Sequence, residues 1–325
     1  GIDIHPGAHP AILGGLDGLP AVVRVRANQA NAAEWITQAQ AELDSIPVGS
    51  ARATFVEQEI AYLREVQKGD VKLYLYDRDN SRIVEIVGKL DAPPERVITY
   101  VPGTFTNLGD FYGGEVQKVS AYLEDNAPGT VAFVYKDGLF PGENPDVGGI
   151  NYFRIGEAND HDRAIDAGRQ LARFETGMRV DPFFAGTEQD AFGHSWGLAN
   201  VTSSEVAGAE FDKVISLSGA GMPAEWTPDP DTSYADISYD DLLQVGQRLG
   251  VVWGGNNPRS HPAFEHGDYY TGPDNDYLSA SPSAPSAYPL PNIPLKPLID
   301  NHMLIADVND DNDKALRAML DEVRR

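Results

Sequence analysis

The sequence predicts an α/β protein with a mostly parallel central sheet and helices on both faces. The first observation is an alternation of strand and helix patterns that begins near residue 70 and continues past residue 230. Such alternation is typical of parallel sheets, because each crossover helix returns the chain to the same end of the sheet. The second is size: 325 residues, 42% of them hydrophobic, can hold one large α/β domain or two ordinary ones.

Residues 1–67 are predicted to form an N-terminal arm and a helical hairpin. Apolar residues such as Trp35 and Ala39 recur at helical spacing, and the pattern resumes with Ile60 and Leu63 after the interruption "DSIPVGS". We expect this hairpin to pack as an appendage or cap.

Residues 68–325 are predicted to form the main domain. Its first signal is a strand hairpin, "VKLYLYDRDNSRIVEIVGK", in which two period-two runs flank an Asp/Asn turn. The later elements follow in order: a strand ending at "YVPGT", a helix over 110–124, a strand over 130–138, a helix over 158–176, a helix ending near Gly208, the strand "KVISLSGAG", a short strand near "TSYADIS" and a last helix, "DKALRAMLDEVRR".

Residues 254–299 have a different composition. Six prolines lie between residues 282 and 297, among Gly, Ser, Asn and Tyr. This composition predicts a long irregular segment that either covers a pocket like a lid or runs over the surface.

Charge limits the partners. The chain has 25 Lys and Arg against 49 Asp and Glu, a formal net charge of −24, which disfavours nucleic acid and anionic membranes. No apolar run approaches membrane-spanning length, so we expect a soluble protein without membrane insertion. The chain begins at Gly1 rather than Met, so removal of a leader or of an N-terminal region is expected. The compartment is unknown from the sequence, and a cytoplasmic protein and one secreted after removal of a leader both stay open.

The stretch "DAFGHSWGLANV" carries the strongest chemical signal. Ser195 stands between Gly193 and Gly197, after a short apolar run and before a helical pattern. Gly-x-Ser-x-Gly in this context predicts a tight strand-to-helix turn that exposes the serine as a nucleophile. The preceding run, "TEQDAF", is less apolar than a central strand usually is.

A nucleophilic serine needs hydrogen-bond donors for the oxyanion. The backbone N–H of Trp196 is the first candidate. The second is expected from the loop after an earlier strand, "YVPGTF", where Gly103 leaves room for the N–H of Thr104 or Phe105.

Among seven histidines, His302 is the favoured general base. It follows an apolar run and comes just before the last helix, so a loop there would bring it to the carboxyl ends of the strands. His261 and His266 are expected to be exposed in a Pro/Gly/Asp-rich loop.

The triad acid is expected between the serine and the base. "SYADISYDDLL" supplies Asp240 and Asp241 after a short strand, and the sequence does not choose between them. One of the two could cap the following helix. Asp236 is a third candidate.

Phe105, His194 and Trp253 are the residues expected at the substrate pocket. His194 is adjacent to the serine and should lie beneath the turn as a packing or hydrogen-bonding residue. Trp253 opens an aromatic-rich stretch that could form a wall for an apolar acyl or alcohol group. We expect no metal and no cofactor, because acyl transfer through a serine requires neither. The acidic stretch "DVNDDND" lacks the glycine and distal glutamate of a calcium loop.

Several of these stretches resemble the actinobacterial α/β-hydrolase family catalogued as DUF1023. They are "GLPAVVRVRANQAN", the strand pair followed by "YVPGTFTNL", the elbow "GHSWG" and "SLSGAGM". The resemblance covers about residues 16–222 and implies a serine hydrolase with the α/β-hydrolase fold. Farther on, "SYDDLL" and "NHMLIA" depart from the family's acid and histidine motifs.

The sequence therefore favours a serine hydrolase that cleaves a small-molecule carboxylic ester through an acyl-enzyme, with Ser195, His302 and Asp240 or Asp241 as its triad. Two alternatives stay open at this point. One is an amidase or peptidase with the same triad, and the other is a hydrolase-like binding protein without activity. The oligomeric state and the identity of the ester cannot be read from the sequence.

Overall fold

A sheet of eight strands forms the centre of the protein. The computed structural model describes residues 14–15, 18–144, 148–239, 241, 243, 246–247, 250–267 and 295–325, with the side chains of 295–299 excluded. The strands are β1 Lys72–Asp77, β2 Arg82–Val87, β3 Arg96–Val101, β4 Thr130–Lys136, β5 Glu188–His194, β6 Lys213–Leu217, β7 Ser233–Ile237 and β8 Phe264–His266.

The strands are ordered β1-β2-β4-β3-β5-β6-β7-β8. Strand β2 pairs antiparallel with β1 and β4, and every other neighbouring pair is parallel. The carboxyl ends of β3 to β8 therefore meet at one edge of the sheet, where a site can be assembled from several loops.

Eight helices surround the sheet in the described part of the chain. They are α1 Ala21–Leu43, α2 Ala51–Lys68, α3 Leu108–Tyr112, α4 Lys118–Asn126, α5 His161–Val180, α6 Trp196–Val206, α7 Leu295–Leu304 and α8 Asp313–Arg324. None of these helices combines the length and apolar character needed to cross a membrane.

Two hydrophobic cores cover the two faces of the sheet. On one face, apolar residues of α2, α4 and α8 pack against side chains such as Ile98. On the other, residues of α5 and α6 pack against side chains such as Val97. Neighbouring strand residues point to opposite faces, so β3 contributes to both cores. The predicted fold class, a mostly parallel sheet with helices on both faces, is confirmed.

The N-terminal hairpin is attached to the sheet by its first helix. The side-chain amide of Asn28 donates to the backbone carbonyls of Leu73 and Tyr74, over 3.0 and 3.1 Å. The N–H of Ala21, at the start of α1, donates to Asp181 Oδ2 over 2.7 Å. Buried polar contacts of this kind hold the hairpin in one position on the sheet.

Several elements differ from the sequence prediction. The helix expected over 110–124 is two helices, α3 and α4, because the chain breaks at Gly113–Gly114, with Gly114 at φ 76°. A 3₁₀ helix at Tyr152–Asn159 precedes α5.

The segment 254–299 is only partly described. Within it lie the end of a 3₁₀ turn, Trp253–Gly255, the short strand β8 and the start of α7. The prediction of an irregular segment was therefore wrong for β8 and for residues 295–299. The lid-like or surface character expected of residues 268–294 lies outside the described residues.

Candidate active site

Ser195 lies at the junction between β5 and α6. Strand β5 ends at His194 and α6 begins at Trp196, and Ser195 itself has φ 54° and ψ −120°. A residue with a side chain seldom adopts this conformation, which costs on the order of 1–3 kcal/mol. The junction is therefore the sharp turn that the Gly-x-Ser-x-Gly pattern predicts.

Two glycines allow this turn to close. A Cβ atom at Gly193 would lie 2.6 Å from the backbone nitrogen of Leu198, and one at Gly197 would overlap the carbonyl oxygen of Val101. The backbones of β5, α6 and β3 thus approach each other at distances that exclude any side chain.

Ser195, His302 and Asp241 form a continuous hydrogen-bonded series. The Oγ atom of Ser195 is 2.8 Å from His302 Nε2, and His302 Nδ1 is 2.8 Å from Asp241 Oδ2. Because an ionised carboxylate only accepts hydrogen bonds, it favours the tautomer with the proton on Nδ1. The unprotonated Nε2 then faces the serine hydroxyl.

Asp241 is the member of the Asp240/Asp241 pair that contacts the histidine. Its side chain is fully buried, and its second oxygen accepts the N–H of Leu243 over 2.8 Å. The same carboxylate thus holds the His302 ring through one oxygen and accepts the backbone N–H of Leu243 through the other. Asp240 lies outside the described residues.

Asp236, the third candidate acid, has other partners. It lies in β7, where its carboxylate accepts hydrogen bonds from Ser216 Oγ over 2.6 Å and Ser238 Oγ over 2.8 Å. Burial raises the pKa of this carboxyl. No contact with His302 is found in the structure as described.

Two backbone N–H groups near Ser195 lack an acceptor among the described residues. They belong to Thr104, in the loop after β3, and to Trp196, the first residue of α6. The N–H of Phe105 instead donates to the carbonyl of Pro141 over 2.7 Å. The loop lies close to the serine, since a Cβ atom at Gly103 would be 2.7 Å from Ser195 Cβ.

Strand order and turn geometry together define the architecture. A sheet ordered β1-β2-β4-β3-β5-β6-β7-β8 with an antiparallel second strand carries a strained serine turn directly after its fifth strand. The chain has the α/β-hydrolase fold.

No protein-family model matches this chain, and no curated protein matches it. Solved structures do resemble it. A structure titled m3DLH is 15% identical, with 78% of this chain and 97% of that chain covered and a TM-score of 0.42. The dienelactone hydrolase-like promiscuous phosphotriesterase P91, from metagenomic libraries, is 15% identical, with 77% of this chain and 95% of that chain covered and a TM-score of 0.39. The Francisella virulence factor BioJ is 12% identical, with 98% of both chains covered and a TM-score of 0.39. The resemblance to DUF1023 stays a prediction.

In this α/β-hydrolase fold, His194 lies beneath the serine turn. Its Nε2 donates to the backbone carbonyl of His302 over 3.2 Å, and the two imidazole rings are 5.3 Å apart with 32° between their planes. Burial lowers the pKa of His194 to about 3, so its imidazole is neutral. His194 was expected to contact the substrate. It also lines a cavity together with Thr104 and Phe105.

A cavity of about 460 Å³ opens beside the loop after β3. Thr104, Phe105 and His194 are among its lining residues. The other polar lining residues are Thr106, Asp110, Glu115, Lys118, Asp300 and Asp307. The apolar residues are Tyr100, Pro102, Val116, Ile150, Met303, Leu304 and Ala306.

Trp253 is not among the residues that line this cavity. It packs beside Gly221, where an added Cβ would lie 2.5 Å from Trp253 Cβ, and its backbone N–H donates to Asn159 Oδ1 over 2.6 Å. The role of Trp253 as a wall of the substrate pocket stays a prediction.

His302 was expected in a loop, but it lies in the last turn of α7. The short apolar run before it gave too little of a helical repeat to predict this element. His194 was expected beneath the turn as a packing or hydrogen-bonding residue, but its partner, the carbonyl of His302, could not be predicted because only the fold brings the two residues together. In the described ranges, no group of three or more His, Cys, Asp or Glu side chains could hold a metal ion.

Proposed function

We propose that this protein is a serine hydrolase that cleaves carboxylic esters through an acyl-enzyme. The observation that carries the proposal is the series Ser195–His302–Asp241, with 2.8 Å at each hydrogen bond. A hydroxyl, an imidazole and a buried carboxylate at these distances are the parts of an activated serine nucleophile.

In the first half of the reaction, His302 Nε2 accepts the hydroxyl proton while Ser195 Oγ bonds to the ester carbonyl carbon. The carbonyl oxygen becomes an oxyanion, and the N–H groups of Thr104 and Trp196 donate to it. The intermediate then collapses. The bond to the alcohol oxygen breaks, the alcohol takes the proton from His302, and the acyl group stays on Ser195.

In the second half, water takes the place of the alcohol. His302 removes a proton from the water as its oxygen attacks the acyl carbon, and the second tetrahedral intermediate collapses to the carboxylic acid. Ser195 recovers its proton from His302. Asp241 keeps the ring in one tautomer and stabilises the imidazolium that forms twice in each cycle.

The cavity supports a preference for esters with an apolar portion. Thr104 lines it together with several apolar side chains, so an acyl or alcohol group that extends from the loop after β3 into this space would contact apolar surface. Each buried methylene contributes about 0.8 kcal/mol. A small molecule with a short or medium apolar chain is the substrate class that this space favours.

The test is hydrolysis of p-nitrophenyl esters with acyl chains from C2 to C12, for the wild type, Ser195→Ala and His302→Ala. We expect kcat to fall by at least about 10³-fold in both variants, since triad members act as a unit. Thermal unfolding of each variant controls for loss of the fold, and a fluorophosphonate probe reports on the nucleophile independently of the substrate.

Other outcomes would change the assignment. An inactive Ser195→Ala beside a fully active His302→Ala would exclude His302 as the base and direct attention to His261 and His266. A wild type that the probe labels, and that cleaves amides but no ester, would be an amidase. A wild type that the probe does not label would have no active serine nucleophile.

A further inference from the structure

The carbonyl of His302 belongs to the last turn of a helix, where backbone carbonyls lose their partners. Helix α7 ends at Leu304, and the last four carbonyls of any helix have no N–H from the next turn. Beyond the helix, the N–H of Ala306 donates to Met303 and that of Asp307 to Leu304. The donor that the structure gives to the His302 carbonyl is therefore a side chain.

That side chain is His194, the residue directly before the nucleophile. Its position at the end of β5 is fixed by pairing with β6, where His194 is opposite Leu217. His194 is about 5% exposed, and its ring lies 5.3 Å from the ring of His302 with an angle of 32° between the two planes. One imidazole thus links the strand that carries the nucleophile to the helix that carries the base.

We propose that His194 is a positioning residue, which holds the end of α7 through the His302 carbonyl and so fixes the His302 ring relative to Ser195 Oγ. This inference rests on the proposed serine hydrolase function. It differs from the substrate-contact role, because it acts on the base and requires no contact with substrate.

The neutral state of His194 is part of this arrangement. During catalysis His302 becomes an imidazolium, and a second positive charge at a ring distance of 5.3 Å would oppose it. Burial lowers the pKa of His194 to about 3, so its imidazole is neutral near pH 7. A neutral N–H donor therefore positions the base without electrostatic cost to the transition state.

The test compares His194→Gln and His194→Phe with the wild type in ester hydrolysis. Gln can place an amide N–H near the position of Nε2, whereas Phe keeps the ring shape without a donor. We expect His194→Phe to lower kcat by about 10- to 100-fold, since small misplacements of a catalytic group have effects of this order. KM should change by less than about 3-fold, and His194→Gln should restore kcat to within about 5-fold of the wild type.

His161→Phe is the control. This exposed histidine contacts Glu225 over 2.8 Å. It belongs neither to the proposed triad nor to the residues that line the cavity, so we expect its kcat to stay at the wild-type value. Should His194→Phe fail to fold in thermal unfolding, His194→Asn carries the test, because its shorter amide does not reach the His302 carbonyl.

Two results would overturn the inference. A donor-free variant with wild-type kcat would show that the hydrogen bond is unimportant for the base. A higher KM with unchanged kcat would make His194 a substrate contact instead. Fluorophosphonate labelling separates these from failure of the proposed function: a wild type that is not labelled overturns both proposals, whereas a labelled wild type with an unimpaired His194→Phe overturns only this one.

Discussion

Ser195 combines an unfavourable backbone conformation with hydrogen bonds that maintain it. Its N–H donates to the carbonyl of Leu217 over 3.0 Å, and its own carbonyl accepts from Ala220 over 2.9 Å. Both partners belong to β6 or the loop after it, so the neighbouring strand holds the serine in the left-handed region. Strain maintained in this way by the surrounding structure is typical of functional positions.

At Asp241 we predict a large catalytic effect from a small chemical change. Asp241→Asn keeps the size of the side chain, but its amide can stabilise the wrong tautomer of His302, and kcat should fall by about 10³- to 10⁴-fold. The measurement is steady-state ester hydrolysis, with Asp240→Asn as the matched control, expected within about 3-fold of the wild type. A larger loss in Asp240→Asn than in Asp241→Asn would reverse the order of the pair.

The sequence predicts which segments supply the serine, the histidine and the acid of the candidate site. It does not predict which of two adjacent residues makes a given contact. The strand-to-helix signal around Ser195 is local, so a pattern of five residues predicts it. The choice between Asp240 and Asp241 depends on the side-chain direction at the end of β7, which no local pattern encodes. The contact between His194 and His302 spans 108 positions and exists only after folding.

At the junction of β3 and α6, Gly197 has no space for a side chain. We predict that Gly197→Ala destabilises the protein by about 2 kcal/mol or more, because the new methyl group would meet the carbonyls of Val101 and Pro102. Backbone atoms of a central strand cannot move aside as a side chain can. The change should also displace the oxyanion loop and lower kcat.

The measurement for this junction is the free energy of unfolding in urea, compared with Gly156→Ala as control. Gly156 has no neighbour within 4 Å of an added Cβ and no positive φ, so its replacement should change stability by less than about 0.5 kcal/mol. Equal effects at the two glycines would refute the steric argument.

The central position of strand β5 in the sheet was difficult to predict from its sequence. Its first residues are polar, yet the strand lies between β3 and β6 in the middle of the sheet. Arg96 explains this, since it contacts Glu188 over 2.7 Å and Asp190 over 3.2 Å. Partners on a neighbouring strand thus allow charged residues in a central position, and such partners are remote in sequence.

Strand β8, with three residues, is too short to give a periodic signal.

For the whole molecule, we predict that buried carboxyl groups make stability depend on pH. Burial raises the pKa of Glu175 to about 7, while the unfolded chain ionises this group near 4.5. Between these values the folded state holds a proton that the unfolded state has lost. Stability therefore falls as the pH rises through this window, by at most about 1.4 kcal/mol per pH unit for one group.

Glu175→Gln isolates this contribution, because its amide resembles the protonated carboxyl at every pH. Asp190 and Glu205, whose pKa values are also raised to about 7 by burial, stay in both proteins and cancel in the difference. We expect the variant to gain stability relative to the wild type between pH 5 and pH 8, measured by urea unfolding. Parallel curves for the two proteins would contradict the assignment to Glu175.

The attachment of Asn28 to β1 has a consequence for the protein in concentrated solution. Strand β1 is at the end of the sheet order, and an end strand can recruit a strand from another molecule. The carbonyls of Leu73 and Tyr74, beside an irregularity in the β1–β2 register, already accept the Asn28 amide. Helix α1 therefore contacts this border of the sheet, and we expect it to limit edge-to-edge self-association. Removal of the hairpin would uncover a template for aggregation.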